Sequence, residues 1–203
     1  MTMNKLLETH FKASIAGINT AMPALVKAFN ADNKTCDVKP VFKKKYSDNE
    51  IVEYPLLTDV PIVYPQTKKA IISYPLEVDD YVLLVFNQRS IDRFKQVGGI
   101  EEHKDNRICH LNDAVAFVGV YPLGQGEPAF SDGLEIKFGD MIVKLYENGK
   151  VEIKNNGIEL ISLLTDFMTA VSNITVATSI GTQPIINKAE VEALKAQIQG
   201  LKK

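Results

Sequence analysis

Between residues 55 and 86 the chain breaks its β-rich runs with proline at positions 55, 61, 65 and 75. Proline has no N–H for a ladder, so within sheets it is confined to strand starts, edges and bulges. Four prolines within 21 residues therefore predict short, bent strands of a small barrel rather than a flat sheet. The run Tyr81-Val-Leu-Leu-Val-Phe86 is the most apolar strand of the chain, and Asp79-Asp80 forms the turn that leads into it.

The same texture extends to both sides. Leu25 to Phe29 reads as a strand, Asp32-Asn33-Lys34 as a turn, and Thr35 to Val41 as a second strand. Asn and Asp suit such turns because they tolerate left-handed backbone and bond their own main chain. Lys43-Lys-Lys45 to Asn49 is expected to be a polar loop, with strands at 51–54, 58–64, 70–74 and 81–87. Arg107 to His110 and Ala114 to Val120 complete the set. Short strands in this number, with irregular loops, suit a Greek-key barrel of the OB type. Ahead of it, Leu6, Leu7, His10, Phe11 and Ile15 fall at helical spacing.

The composition changes after residue 120. Pro122, Gly124, Gly126 and Pro128 mark 121–131 as a linker. Leu134 to Phe138, Met141 to Tyr146 and Val151 to Lys154 are short alternating strands, separated by Gly139-Asp140, Asn148-Gly149 and Asn156-Gly157. A meander of that size is marginal alone. Its inward candidates, Ile136, Phe138, Val143, Leu145, Val151 and Ile153, are expected to need other chains to complete a core. Beyond it, Leu160, Leu164, Phe167, Met168, Val171 and Ile174 keep a period near 3.6. Asn187 with Glu190 resembles a capping box. Val191, Leu194, Ile198 and Leu201 form an a/d seam of about two heptads, which packs either on its own chain or between chains.

The expected fold is thus mainly β with helical ends. It divides into a helix at 1–20, an OB-fold barrel at 21–120, a linker at 121–131, a short β-prism or β-helix segment at 132–158 and a helical tail at 159–203.

Motifs for chemistry are lacking. The histidines His10, His103 and His110 show no His-x-His or His-Glu-x-x-His spacing, and Cys36 and Cys109 no Cys-x-x-Cys, so no metal site, catalytic residue or cofactor is expected. His110 reads as structural, Asp79-Asp80 as turn residues, and Glu101-Glu102 beside Lys104-Asp105 as a solvated loop. Gly98-Gly99 is too short for a phosphate loop. Two cysteines fit free thiols in a reducing compartment. No window approaches the roughly 18 apolar residues of a spanning helix, and no signal peptide is read at the N-terminus. An OB barrel raises single-stranded nucleic acid as an alternative ligand, which would stack on Tyr64, Tyr74, Tyr81, Phe86 and Phe94. A net charge of −2 and a single compact lysine run argue against it. A tail-borne wall hydrolase is a third reading, with no paired carboxylates to carry it.

Taken in order, several stretches are similar to one family. They are Thr20-Ala-Met-Pro-Ala-Leu-Val26, Thr35-Cys-Asp-Val-Lys-Pro40, Leu57-Thr-Asp-Val-Pro-Ile-Val-Tyr-Pro65, Tyr74 to Phe86, Arg89-Ser-Ile-Asp-Arg-Phe94, and Arg107 to Gly119 with Leu111-Asn-Asp-Ala-Val115. The chain resembles the OB-fold central spike proteins of contractile-tailed phage baseplates, which include the baseplate assembly protein V and membrane-piercing spike groups. It departs from them in carrying Asp79-Asp80 for Gly-Asp, Phe94 for a frequent Trp, and Thr67-Lys-Lys69 for a glycine run. It also lacks the His-x-His of iron-tipped members and ends in helices. The resemblance implies a homotrimeric spike or hub below the tail tube, made in the bacterial cytoplasm and carried in the virion. Its partners would be tail tube and baseplate hub proteins and a separate tip protein, with transient contact to the host envelope.

Overall fold

The computed structural model describes residues 2–46, 49–100, 102 and 105–202. It divides into two compact units, Met1–Gly126 and Glu127–Lys203.

In the first unit, helix α1 (Met3–Ala16) precedes strands β1 (Ala21–Asn30), β2 (Thr35–Pro40), β3 (Lys43–Lys45), β4 (Ile51–Glu53), β5 (Leu57–Val63) and β6 (Tyr81–Phe86). Helix α2 (Asp92–Val97), a 3-10 turn at Leu111–Asp113 and β7 (Ala114–Val118) follow. Five strands close a barrel in the order β1-β2-β5-β7-β6. All its neighbours are antiparallel except β5 and β7.

Closure comes from period-two burial matched for size. Met22, Ala24 and Val26 of β1, Cys36 and Val38 of β2, Val82, Leu84 and Phe86 of β6, and Ala114 and Ala116 of β7 point inward. Large residues sit opposite small ones: Leu84 pairs with Ala116, Phe86 with Ala114, and Val82 with Ala24. Small barrels fill a narrow interior in this way. On β5 the alternation breaks. Asp59 has a φ of 52°, its N–H donates to Asp37 Oδ1 at 3.0 Å, and the register with β2 shifts there. This bulge lets Leu57 and Val60 both face the core, with Pro61 two residues past the kink.

Four expectations need correction. Lys43–Lys45 is a strand, paired with Ile51–Glu53; of the polar loop expected there, Ser47 and Asp48 lie outside the described residues. Residues 70–74 form no strand. Only an isolated Gln66–Ile71 bridge occurs, in a segment whose flanking Pro65 and Pro75 cannot donate to a ladder. Arg107 to His110 is irregular, with Cys109 at a φ of 47°. Tyr121 does not behave as linker: its ring meets Tyr81 edge-on at 5.5 Å and its hydroxyl donates to Asp80 Oδ1 at 2.7 Å.

The second unit begins with β8 (Gly133–Phe138), β9 (Met141–Tyr146), β10 (Val151–Asn155) and β11 (Ile158–Glu159), an antiparallel sheet in the order β11-β10-β9-β8. Gly133 is required at its start, because a Cβ there would come within 2.0 Å of the Leu145 carbonyl oxygen. Asn156 and Gly157 both have positive φ, the two-residue turn that matches strand twist. Helix α3 (Leu160–Ser172), a hairpin of β12 (Thr175–Thr178) and β13 (Gly181–Pro184), and helix α4 (Lys188–Leu201) complete the chain. The tail is therefore not wholly helical, since a β-hairpin joins its helices. The capping expected for α4 is also not found. Asn187 makes no side-chain cap bond, whereas Glu159 caps α3, accepting from the N–H groups of Ile161 and Ser162 at 2.9 and 2.7 Å. Burial pushes the Glu159 carboxyl up, but these bonds and that of the Ser162 hydroxyl outweigh it and hold it below its ordinary value. Among the described residues no helix is long and apolar enough to cross a membrane.

Candidate assembly surface

The cross-strand register of the second unit's sheet sorts its residues onto two faces. Leu134, Ile136 and Phe138 of β8 stand opposite Leu145, Val143 and Met141 of β9. Leu145 and Val143 stand opposite Val151 and Ile153 of β10. Ile158 of β11 joins the same face through its pairing with Asn155. The six residues expected to line a prism core, Ile136, Phe138, Val143, Leu145, Val151 and Ile153, are thus brought onto one face. Its own chain covers it only in part: Val143, Val151 and Ile153 are half-buried, while Ile136 is 64% exposed, Phe138 67% and Ile158 64%.

The opposite face is finished within the chain. Lys144 Nζ lies 3.0 Å from Glu135, its cross-strand partner, and Lys154 Nζ lies 2.8 Å from Glu152. The Tyr146 hydroxyl donates to Glu152 at 2.8 Å. Glu152 is held below the ordinary carboxylate range, first by the Lys154 bond and, against the cost of burial, by Tyr146. Glu135 raises the Lys144 ammonium. Phe130 closes this face, edge-on to Tyr146 at 5.4 Å and with Lys144 Nζ 4.3 Å from its ring centroid. Such cross-strand pairs are the units of sheet stability. This face is complete where the apolar one is bare.

Helix α3 repeats the asymmetry. It packs against α4 and lies beside β10 and β11. The face it buries carries Ile161, Thr165 and Ser172, of which Ser172 is 1% exposed. The Thr165 and Ser172 hydroxyls donate to the carbonyls of Ile161 and Thr169 at 2.8 and 3.0 Å, which removes the cost of burying them. At about 100° per residue, Leu160, Leu163, Leu164 and Phe167 share another stripe, and all four are exposed. The helical period was legible in the sequence. That its strongest apolar stripe faces away from its own chain was not, because small hydroxyl residues form the packed side. Of the tail seam, Val191 and Ile198 are half-buried while Leu194 and Leu201 are exposed, on a helix that packs against α3 of the same chain. Leu134, Met141 and Ile158 belong to the bare face and were missed; period two from Ile136 identifies Leu134, and the Asn156-Gly157 turn identifies Ile158.

In the first unit the notable polar feature lies between β6 and β7. The Asp113 carboxylate is fully buried. Its Oδ1 accepts from the Ile91 N–H at 3.1 Å and from Arg107 Nη2 at 3.2 Å, while Oδ2 has no hydrogen-bond partner. Arg107 also pairs with Asp92 and lies 3.1 Å from Asp105. Its contact holds the Asp92 carboxyl below its ordinary value, against a smaller opposing effect of burial. The long loop is thereby fastened to the barrel. His110 acts locally, its Nδ1 accepting from the Asn112 N–H at 3.2 Å. His103, Glu101 and Lys104 lie outside the described residues. Lys43 and Lys39 both pair with Glu53, at 3.1 and 3.4 Å, and lower its carboxyl. Among the described residues no group of three His, Cys, Asp or Glu side chains is arranged to hold a metal ion.

Residues 22–119 match the family model of the phage protein Gp138 N-terminal domain. No curated protein matches the chain. The matched stretch covers the barrel and its loops, and supports a phage structural, tail-associated protein and a virion component. It ends ahead of the sheet that carries the bare face.

Proposed function

We propose that the protein is a structural component of a contractile-tail baseplate, three copies of which form a central spike or hub below the tail tube. The observation that carries this reading is the finished polar face of the sheet set against its bare apolar face. A four-stranded sheet with one such face is stable when other copies cover it, and closed symmetric assembly does so without leaving a new apolar surface. The closed five-stranded barrel supports an OB fold for residues 21–120, and the Gp138 match supports a phage setting. On this reading residues 132–158 from three chains share a prism core built on Ile136, Phe138, Val143, Leu145, Val151 and Ile153. The virion is the site of action, with tail tube and hub proteins above and a separate tip protein below.

What speaks against nucleic acid as a ligand is the pairing of Lys39 and Lys43 with one carboxylate. Their charge is answered inside the protein rather than offered to phosphates. Light scattering coupled to size exclusion tests the proposal. The expected mass is roughly three times the 22.5 kDa chain. A stable, folded monomer at micromolar concentration would falsify it.

A further inference from the structure

The apolar face of the sheet has two unlike edges. At one, β8 pairs only with β9 among the described residues and presents Phe138 to solvent. Toward the other, the ends of β9, β10 and β11 and the first turn of α3 line an apolar groove of 420 Å³, with Met141, Ile153, Ile158, Leu160 and Leu163 among its residues. One edge is a knob and the other a hole. An exposed aromatic beside an apolar groove is the pairing that anchors interfaces.

Within its own chain Phe138 adjoins the Met141 rim of the groove, through their cross-strand pairing, and not the Ile158 rim. It stands on β8, three strand spacings from β11, and that separation is ~14 Å. It does lie at the right height. Phe138 pairs with Met141, Ile142 pairs with Lys154, and Asn155 pairs with Ile158. One cross-strand row therefore runs from the knob to the groove. Rotation about an axis parallel to the strands keeps every residue at its own level, so a second copy turned about such an axis carries its Phe138 to the groove's level. A contact between two different patches is heterologous and either closes into a ring or continues as a filament. A shared level removes the translation that a filament needs.

We propose that Phe138 of one copy seats in the Met141–Ile158–Leu163 groove of the next, and that three such contacts close the ring. The inference rests on the trimeric reading above and specifies how the copies engage: edge to groove in one rotational sense, not face to face about a two-fold axis.

Disulfide trapping in the full-length chain tests it. In a Cys109→Ser background, Phe138→Cys is combined with Ile158→Cys, and separately with Leu163→Cys. A disulfide needs Cα atoms about 4.4–6.8 Å apart, so the 138–158 pair cannot close within one chain. Oxidation should give a covalent species of three times the chain mass on a denaturing gel, reversed by reductant. Phe138→Cys alone should stay a single chain on that gel. Phe138→Ala should raise the concentration at which the assembly dissociates by about tenfold, the effect of losing one anchoring side chain. Covalent dimers from Phe138→Cys alone would mean a two-fold contact and overturn the proposal. A trimer in solution with no interchain bond from either pair would leave the trimer standing and overturn the seating. A monomeric wild-type chain would overturn both.

Discussion

Val26, Val38, Val82 and Leu84 lose all contact with water inside the barrel, whereas in the second unit Tyr146 and Ile161 are the buried hydrophobic residues among those described. Both units are built from strands of similar length and similar apolar content. They differ in closure. A sheet closed on itself has an inside, and every inward side chain of β1, β2, β5, β6 and β7 finds partners from its own chain. An open four-stranded sheet has two faces and two edges. Here one face is completed by Lys–Glu pairs and Phe130, while on the other Leu134, Ile136, Phe138, Met141, Leu145 and Ile158 stay exposed and Val143, Val151 and Ile153 are half-buried. The barrel thus closes its core within its own chain, and the sheet leaves much of one apolar face open. The apolar residues that alternate along both units look alike in sequence, and only topology decides which become core.

The sharpest way to break this contrast is to truncate one residue of each kind. Leu84→Ala should cost about 2–5 kcal/mol, the usual range for a fully buried leucine whose cavity does not collapse. The loss should be the same at every protein concentration. Ile136→Ala should leave the barrel's unfolding midpoint in place and lower the stability of the assembly, by roughly 1.5–3 kcal/mol per chain, with a concentration dependence. Denaturant titrations at two protein concentrations distinguish the two. A concentration-independent loss for Ile136→Ala would mean that the sheet is stabilised by its own chain, and the contrast would fail.

A comparable effect is expected from the loop that joins β6 to β7. Arg107→Ala leaves the Asp113 carboxylate buried without its cation. The cost should be about 3 kcal/mol, the low end for a broken buried pair because Arg107 keeps some solvent. The pH dependence follows in sign. Contact with Arg107 lowers the Asp92 carboxyl in the folded state from its ordinary value of 3.8. Its contribution is therefore present above that pH and is lost as pH falls through the lowered folded value. Thermal melts of the wild-type barrel should drop below about pH 4, and Asp92→Asn should lose that part of the drop. Identical pH profiles for the two would remove Asp92 from the clamp.

The smallest readout concerns closure itself. Cys36 is buried inside the barrel, and desolvation, with Asp37 adding to it, pushes its thiol up to about 12. Cys109 is half-buried in the loop. A thiolate reagent at neutral pH should therefore titrate a single thiol per native chain, and Cys109→Ser should abolish that reaction. Rapid labelling of Cys36 in the native protein would mean that the barrel opens readily, bringing its behaviour closer to that of the sheet.

Much of the barrel was legible because its devices are local. Tyr81–Phe86 carries its burial pattern in plain period two, and Asp79, at a φ of 73°, is a turn residue by its chemistry. The same holds for Ile136 and Phe138, whose shared face follows from their spacing. Other features were hidden because their causes are distant in sequence. The bulge at Asp59 depends on Asp37 across the ladder. The clamp joins Asp92, Arg107 and Asp113, none of which forms a motif. The short helix Asp92–Val97 and strand β3 were missed for the same reason: short elements are decided by what flanks them.

The sequence by itself determined which residues alternate, where the turns fall, and that residues 132–158 carry too little to bury alone. Those properties depend on one or two neighbours along the chain, so they can be read without a fold. Tertiary structure decided which side of each element meets its own chain. It turned the hydroxyl side of α3 inward and its leucine stripe outward, and it put Phe138 and the groove beside Ile158 on one row at opposite edges of a sheet. Such choices depend on register and crossover, which sum contacts over the whole unit and leave no trace in any short stretch of residues.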